Sequence, residues 1–294
     1  VCALAHGGPR VPEGPRRPYT AAMSLSGVAK ETVAIVERGS YTGPSGQVVS
    51  IAAEVDRAIR GSVLYRPADF DALPRPRGGP HTTRIEVRAD TTAGAARRLI
   101  EVEGCEGVAA LNFASAKNPG GGFMGGAKAQ EEDLARCSAL YHCVRSQRGY
   151  YDANRACHSL LYTDHLIYSP RVPYFRDERL DLLARPFCVG MVTSPAPNAG
   201  EHLRARGRKQ EIRDTLERRA EQVLRVMAHH GHATIVLGAW GCGVFRNEPR
   251  EVAEVFAGWL RAPDYAGAFA RVVFAIYDRS RDQATLRAFE RALA

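Results

Sequence analysis

The chain has 294 residues, of which 45% are hydrophobic and 24% are charged, which is the composition of an ordinary soluble globular protein. No apolar stretch reaches the roughly 20 residues that a membrane-spanning helix requires. Forty Lys and Arg against 32 Asp and Glu give a net charge of +8. This charge favours polyanionic partners, although a basic surface without functional consequence fits it equally well.

Residues 1–22 contain four prolines and three glycines and show no apolar periodicity. Because residue 1 is not Met and Met23 precedes the first helical pattern, we expect a disordered leader or an over-extended start there. We expect residues 23–294 to form a single domain. The seven cysteines are scattered without a CxxC motif, which favours reduced thiols and a cytoplasmic location. Their spacing fits no zinc pattern, so we predict neither a metal nor a cofactor.

Apolar periodicity and helix stop signals predict an alternation of helices and strands. In chain order the predicted elements are helix 26–38, strand 47–51, helix 53–59, strand 84–88, helix 93–103, strand 108–113, helix 131–144, strand 166–168, strand 187–193, helix 208–229, strand 234–237, helix 252–260, strand 272–276 and helix 283–293. Residues 66–80 are predicted to be a loop, and residues 145–186 to be mostly irregular. This order predicts an α/β fold with helices on both faces of a sheet. A ligand crevice is then expected at the carboxyl ends of the strands.

The segment after strand 108–113 is the most informative part of the chain. Five glycines lie within residues 120–126, and the adjacent acids Glu131 and Glu132 follow at the start of a predicted helix. Glycine is required where the backbone takes a positive φ or a ligand touches the main chain, and successive N–H groups in such turns bind anions. The pattern indicates a phosphorylated substrate whose bond is broken by acid catalysis.

Glycine-rich motifs of other classes fit this segment poorly. The spacing of Gly120, Gly122 and Gly125 matches the dinucleotide fingerprint, but the strand ends near residue 113, too early for the tight first turn of that motif. A P-loop is excluded because the last glycine is not followed directly by Lys and then Ser or Thr. A nicotinamide-dependent dehydrogenase remains an alternative that absence of NAD binding would remove.

The two adjacent acids cannot flank one bond from opposite sides, because neighbours on a helix do not face each other. They can complement the helix dipole, or each can contact a different part of one ligand. A second glycine loop, residues 238–245, follows strand 234–237, and the two loops can share a ligand if their strands are neighbours. Cys242 in this loop is either a nucleophile or a small residue that a tight loop tolerates.

Three glycines, Gly120 to Gly122, followed after seven residues by Gln130, Glu131 and Glu132, resemble the signature of the poly(ADP-ribose) glycohydrolases. The segments 111–118, 167–173, 194–198 and 238–245 are similar to the bacterial-type branch, and the resemblance spans roughly residues 26–290. It implies a macrodomain-like, three-layer fold with a mixed central sheet and an N-terminal helical extension. The activity that it implies is hydrolysis of ribose–ribose O-glycosidic bonds in poly(ADP-ribose), with release of ADP-ribose and reversal of ADP-ribosylation in the DNA damage response.

The resemblance also implies roles for individual residues. Glu132 would be the general acid and base, Glu131 would hold the ribose, and the second glycine loop would wrap the diphosphate. The ligand-binding residues that it implies are Thr91, Asn112, Asn118, Gly120, Gly121, Gly122, Phe123, Gln130, Pro197, Asn198, Gly238, Trp240, Gly241, Cys242, Gly243, Val244 and Phe245. Residues 246–249 are more basic than the family pattern leads us to expect.

The partners that follow are poly(ADP-ribose), ADP-ribose and ADP-ribosylated proteins, and we expect a monomer. Two alternatives remain at this stage. One is a non-catalytic reader of ADP-ribose, which would not need the acid pair. The other is a hydrolase that removes single ADP-ribose groups.

Overall fold

The computed structural model describes residues 23–294, so the expected leader lies outside the described residues. The helices are α1 (Leu25–Arg38), α2 (Ala52–Arg60), α3 (Asp69–Ala72), α4 (Thr92–Arg97), α5 (Gln130–Cys137), α6 (Leu140–Ser146), α7 (Arg148–Ala156), α8 (Ala199–Arg204), α9 (Lys209–His229), α10 (Pro249–Arg261) and α11 (Ala284–Leu293). The strands are β1 (Ser40–Thr42), β2 (Val48–Ser50), β3 (Val63–Tyr65), β4 (Arg84–Arg88), β5 (Ala109–Phe113), β6 (Leu166–Arg176), β7 (Leu182–Ser194), β8 (Thr234–Gly238) and β9 (Arg271–Ala275). Within residues 23–294, no helix has the length and apolar character needed to cross a membrane.

Seven strands form the central sheet in the order β3-β6-β7-β5-β8-β9-β4. The five strands from β7 to β4 are parallel to their neighbours, whereas β6 and β3 are antiparallel. The expected α/β fold with a mixed sheet is therefore confirmed. The carboxyl ends of the five parallel strands meet at one edge, where ligands bind in open α/β sheets.

The sheet is covered on both faces, because successive strand residues point to opposite sides. On β8, Val236 packs into one hydrophobic cluster and Ile235 and Leu237 into the other. The first cluster includes residues of α1, α2 and α4 to α7, and the second includes residues of α9, α10 and α11. The result is three layers with the sheet in the middle, as the resemblance implied.

Residues 145–186 differ most from the expectation of irregular structure. They contain α7, the whole 11-residue strand β6 and the first five residues of the antiparallel strand β7. The pairing shifts register between Ser169 and Val172, and Arg171 between them has a left-handed φ of 46°. This bulge, with Pro170 beside it, interrupts the alternation from which a strand is recognised.

The predicted helix 131–144 is also broken into α5 and α6. Ser138 between them is extended, with φ −148° and ψ 179°. Its hydroxyl donates to the Leu134 carbonyl at 2.7 Å and accepts from the Leu140 N–H at 3.1 Å. The same side chain thus bonds to the last turn of α5 and to the first residue of α6.

The N-terminal helix α1 is fastened to the helix that carries the two acids. The Thr32 hydroxyl donates to the Arg136 carbonyl at 2.7 Å and accepts from Arg176 Nε at 3.2 Å. Arg136 in turn donates to the Ala127 carbonyl at 2.7 Å, just beyond the first glycine loop. The expected helical extension is therefore linked by hydrogen bonds to the segment between the glycines and the acids.

We expect Thr32→Val to destabilise the protein by about 1–3 kcal/mol, because it leaves two buried polar partners unpaired while keeping the side-chain shape. The free energy of unfolding from denaturant titration measures this loss. Thr42→Val, at an exposed strand position, is the control and should change stability by no more than about 0.5 kcal/mol. Equal stabilities of the two variants would contradict the proposed link.

Candidate active site

The two glycine loops meet at the carboxyl edge of the sheet. Strand β5, which precedes the first loop, is paired in parallel with β8, which leads into the second. The two strands are therefore neighbours in the sheet, as is required for the two loops to share a ligand. Strand β7 flanks β5 on its other side, so the loop that begins at residue 195 borders the same crevice.

The first glycine loop is folded around a carboxyl group. Gly120 and Gly121 have left-handed φ values of 65° and 59°. A Cβ atom on Gly121 would overlap Glu132 Oε1. Glycine is therefore required at position 121 both by the backbone conformation and by the closeness of the acid.

Glu132 is held by one of its two carboxylate oxygens. Oε1 accepts a hydrogen bond from the Gly122 N–H at 2.9 Å. The side chain is only 8% exposed, and Oε2 has no hydrogen-bond partner among residues 23–294. A buried oxygen without a partner is costly unless a ligand or proton uses it, so Oε2 is the oxygen of this carboxyl group that is left available to a ligand or a proton.

Glu131 points to different partners although it is the adjacent residue. Its Oε2 accepts from the Ser115 N–H at 2.7 Å, and its Oε1 accepts from Asn112 Nδ2 at 3.2 Å. Asn112 also donates to the Thr193 hydroxyl at 3.2 Å. The side chain of Glu131 is 2% exposed, and this desolvation outweighs the hydrogen bonds and raises its pKa to about 8.

Gln130 fastens the start of α5 to the end of β5. Its Oε1 accepts from the Phe113 N–H at 2.8 Å. Its Nε2 donates to the Leu111 carbonyl at 2.8 Å and to the Thr92 hydroxyl at 3.0 Å. The amide thus sets the position of the two acids relative to the strand, and a direct contact of Gln130 with ligand stays a prediction.

The second glycine loop is as tightly built as the first. Gly241 has a left-handed φ of 72°, and a Cβ there would lie 2.5 Å from Ala196 Cβ. A Cβ on Gly238 would lie 2.6 Å from the Ala275 carbonyl oxygen. Gly243 is exposed at the outer part of the loop.

Asn247, which the sequence analysis did not select, holds this loop in place. Its Nδ2 donates to the Pro197 carbonyl at 2.9 Å and to the Gly241 carbonyl at 3.1 Å. The side chain is buried, and its Oδ1 has no partner within the part of the chain that the structure describes. The sequence shows that a polar residue, Asn247, closely follows the glycine loop. It does not show the hydrogen-bond partner of Asn247, because Pro197 in the loop after β7 is remote in sequence.

The surroundings of Cys242 disfavour a role as nucleophile. Burial raises the pKa of its thiol to about 12, so the thiolate is absent near neutral pH. The structure thus favours the alternative of a small residue in a tight loop. Neighbouring Trp240 is fully buried and donates from Nε1 to the Ser194 carbonyl at 3.1 Å, whereas Val244 is 82% exposed.

Several predicted ligand residues have side chains engaged in the fold. Phe123 is buried and its ring lies 4.8 Å from that of Tyr141, and Pro197 is buried. The Asn198 side chain caps α8, and the Thr91 hydroxyl caps α4. Any ligand contact of these residues would therefore come from their backbone or exposed atoms, whereas Asn118 is exposed beside the first loop.

Tyr277 is a second residue that the sequence analysis missed. It follows Ile276, whose N–H donates to the Arg88 carbonyl at 2.9 Å at the carboxyl end of β4. Its ring is 57% exposed and lies 4.9 Å from the Arg279 guanidinium carbon. An exposed aromatic residue directly after the last strand was the signal, and it places a flat face at the β9–β4 end of the carboxyl edge.

Comparison with known proteins identifies a matching family model and similar solved structures. The sequence model of the microbial-type PARG catalytic domain matches residues 29–177. The poly(ADP-ribose) glycohydrolase structure from Thermomonospora curvata with the inhibitor ADP-HPD is 50% identical, with a TM-score of 0.83, over 91% of this chain and 98% of that chain. The Deinococcus radiodurans enzyme in complex with ADP-ribose is 48% identical, with a TM-score of 0.76, over 81% of this chain and 96% of that chain.

No curated protein matches the chain. The family model nevertheless covers the first glycine loop and both acids, and the two structural matches cover 91% and 81% of the chain. The chain therefore belongs to the microbial-type poly(ADP-ribose) glycohydrolase family.

Proposed function

We propose that this protein cleaves the ribose–ribose O-glycosidic bonds of poly(ADP-ribose) and releases ADP-ribose, with Glu132 as general acid and base. The observation that carries the proposal is the Glu132 carboxyl, fixed through Oε1 by the Gly122 N–H and left without a partner at Oε2. Related enzymes bind ADP-ribose and the inhibitor ADP-HPD, which supports the substrate class. ADP-ribosylated proteins, as carriers of the polymer, are the proposed macromolecular partners.

The reaction needs only one carboxyl group that reverses its role. Protonated Glu132 donates its proton to the leaving ribose oxygen while the bond between that oxygen and the anomeric carbon breaks. An oxocarbenium-like centre develops at the anomeric carbon, and the diphosphate of the same ADP-ribose unit stabilises it. Water then adds to the anomeric carbon, and Glu132, now a carboxylate, takes the proton from the water. The enzyme ends in its starting protonation state.

Glu131 serves to position the sugar. Its carboxyl group is held by the Ser115 N–H and by Asn112, so it offers a fixed surface to ribose hydroxyl groups. With a pKa of about 8, the group carries a proton near neutral pH and can donate to a ribose oxygen as well as accept from a hydroxyl group. The proposal thus gives the two adjacent acids separate roles.

The rest of ADP-ribose fits the carboxyl edge of the sheet. Backbone N–H groups of the second glycine loop, residues 238–245, supply neutral donors for the diphosphate. Tyr277 offers an exposed aromatic face for the adenine base at the β9–β4 end of the edge. The net charge of +8 favours the approach of a polyanionic polymer.

Incubation of the purified protein with poly(ADP-ribose), followed by chromatography of the products, tests the function directly. We expect ADP-ribose to be released. A mono-ADP-ribosylated protein assayed in parallel distinguishes the alternative hydrolase. Binding of ADP-ribose without release of any product would instead identify a reader and refute the proposal.

We expect Glu132→Gln to lower kcat by roughly 10²–10⁴-fold, the range for removal of a general acid–base group. Affinity for ADP-ribose should be retained, because the Gln side-chain oxygen can still accept from the Gly122 N–H. Polymer hydrolysis gives the rate, and calorimetry with ADP-ribose gives the affinity. A rate near that of the wild-type enzyme would show that the acid lies elsewhere.

We expect Gly121→Val to abolish activity and weaken ADP-ribose binding, because its side chain would overlap the Glu132 carboxyl and φ is left-handed. The matched control is Gly258→Val on α10, where an added Cβ has no atom within 4 Å. Both variants are compared by calorimetry and by polymer hydrolysis. Unchanged binding in Gly121→Val would mean that the loop does not form the ligand site.

The raised pKa of Glu131 predicts a pH-dependent stability. Glu131 has a pKa of about 8 in the folded protein and a pKa near 4.5 in the unfolded chain. Between these two pH values the folded protein keeps a proton that the unfolded chain has released. The stability from this proton is therefore fully present below about pH 4.5 and is lost as the pH rises through about 8. Glu131→Gln removes this loss, and Asn112 can turn its unpaired Oδ1 toward the new amide.

Thermal unfolding at a series of pH values measures the effect. The Tm of Glu131→Gln relative to wild type should rise between about pH 5 and pH 8. Glu37→Gln, at an exposed position of α1, is the control and should show no such trend. A Tm difference that does not change with pH in Glu131→Gln would contradict the assigned protonation.

A further inference from the structure

We propose that Tyr162 is a further substrate-contacting residue, which forms with Phe245 an aromatic wall beside the sugar end of the crevice. This inference rests on the proposed function. Phe245 belongs to the second glycine loop, and the centroids of the two rings lie 5.8 Å apart with an interplanar angle of 41°. Both side chains are half-buried, so each ring is covered by the protein in part and keeps an exposed part.

The connection between this wall and the acid pair runs through Tyr150. The Tyr150 hydroxyl lies 3.5 Å from the Ser115 carbonyl, and the Ser115 N–H donates to Glu131. Asn154, on the same helix as Tyr150, donates from Nδ2 to the Tyr150 carbonyl at 2.9 Å and accepts from the Thr163 N–H at 2.9 Å. The segment that carries Tyr162 is therefore tied to the helix whose Tyr150 lies against Ser115, which places the wall on the Glu131 side of the crevice, where the ribose is proposed to bind.

The backbone of Tyr162 is strained. Its φ of 62° lies in the left-handed region, which is unfavourable for a residue with a bulky side chain. Strain of this kind persists only where surrounding structure enforces it, and it is concentrated at functional sites. Glycine would adopt the same conformation without this penalty, so a replacement of Tyr162 by glycine removes the ring without adding backbone strain.

Two buried polar side chains enforce the conformation. Arg219 on α9 is 1% exposed and donates to the Leu161 carbonyl at 2.6 Å and to the Tyr162 carbonyl at 2.9 Å. Asn154 on α7 accepts from the Thr163 N–H at 2.9 Å. The carbonyl of Tyr162 and the N–H of Thr163 are thus both fixed by hydrogen bonds. The backbone of Tyr162, from which the ring extends, therefore has a defined position.

Arg219 also donates to the Pro195 carbonyl at 2.9 Å, so it holds the loop after β7 as well. That loop is tied to the second glycine loop, because the Gly200 N–H donates to the Phe245 carbonyl at 2.9 Å. The two rings are therefore held by connected segments and form a rigid pair. Aromatic faces suit the C–H face of a ribose, and the Tyr162 hydroxyl can bond to its oxygens.

The test is Tyr162→Gly, which removes the ring and relieves the backbone strain in one step. We expect a Tm equal to or above that of wild type, a Kd for ADP-ribose raised roughly 10-fold, and a higher KM for the polymer with kcat largely retained. A folded variant with wild-type Kd and KM overturns the proposal, because the ring would then serve the fold alone.

Two further variants separate the ring from the backbone. Tyr162→Phe keeps the ring and should bind ADP-ribose with an affinity near that of wild type. An affinity as weak as that of Tyr162→Gly would contradict the proposal that the aromatic ring contacts the substrate. Arg206→Gly is the matched control, because Arg206 is exposed and has a φ of 61°. It should relieve similar strain and leave Kd unchanged. Polymer hydrolysis by the wild-type protein tests the proposed function separately, so failure of one is distinguishable from failure of the other.

Discussion

The close approach between the Glu132 carboxyl and the backbone of the first glycine loop is the constraint on which the site depends. No side chain fits at Gly121, and the Gly122 N–H fixes one carboxylate oxygen. The other oxygen is left buried and without a protein partner in the described residues. The glycines therefore let a carboxyl group lie against bare main chain, and they leave one of its oxygens available for the proposed proton transfer.

The same geometry explains how two neighbouring acids acquire different environments. On a helix with 3.6 residues per turn, adjacent side chains diverge by roughly 100°. Gln130 locks the first turn of α5 to β5, so this divergence sends Glu131 toward the strand and Glu132 toward the loop. Burial against the strand accounts for the raised pKa of Glu131. The hydrogen bonds of Gln130 that join α5 to β5 thus determine the environments of both acids.

Much of this arrangement was predictable, because it is encoded locally. Glycine runs after apolar strands placed both loops, and the adjacency of Glu131 and Glu132 separated their roles. Contacts between remote segments could not be predicted in this way. Asn247 reaches the loop after β7 and Tyr162 reaches Phe245, and neither spacing has a sequence signature. Strand β6 was underestimated for a different reason, since its bulge breaks the alternation that marks a strand.

The loops at the edge of the sheet lack regular partners for their carbonyl groups, and such groups must be satisfied when buried. Two buried arginines of the flanking helices supply the donors. Arg136 donates to Ala127 on the side of the first glycine loop, and Arg219 donates to Pro195 on the side of the second. Arginine suits this task because it carries five donors in a fixed plane. Its buried charge needs an acid, which Asp164 supplies for Arg219 at 2.7 Å. The outer layers therefore do more than cover the sheet, since they hold the loops between which the substrate is proposed to bind.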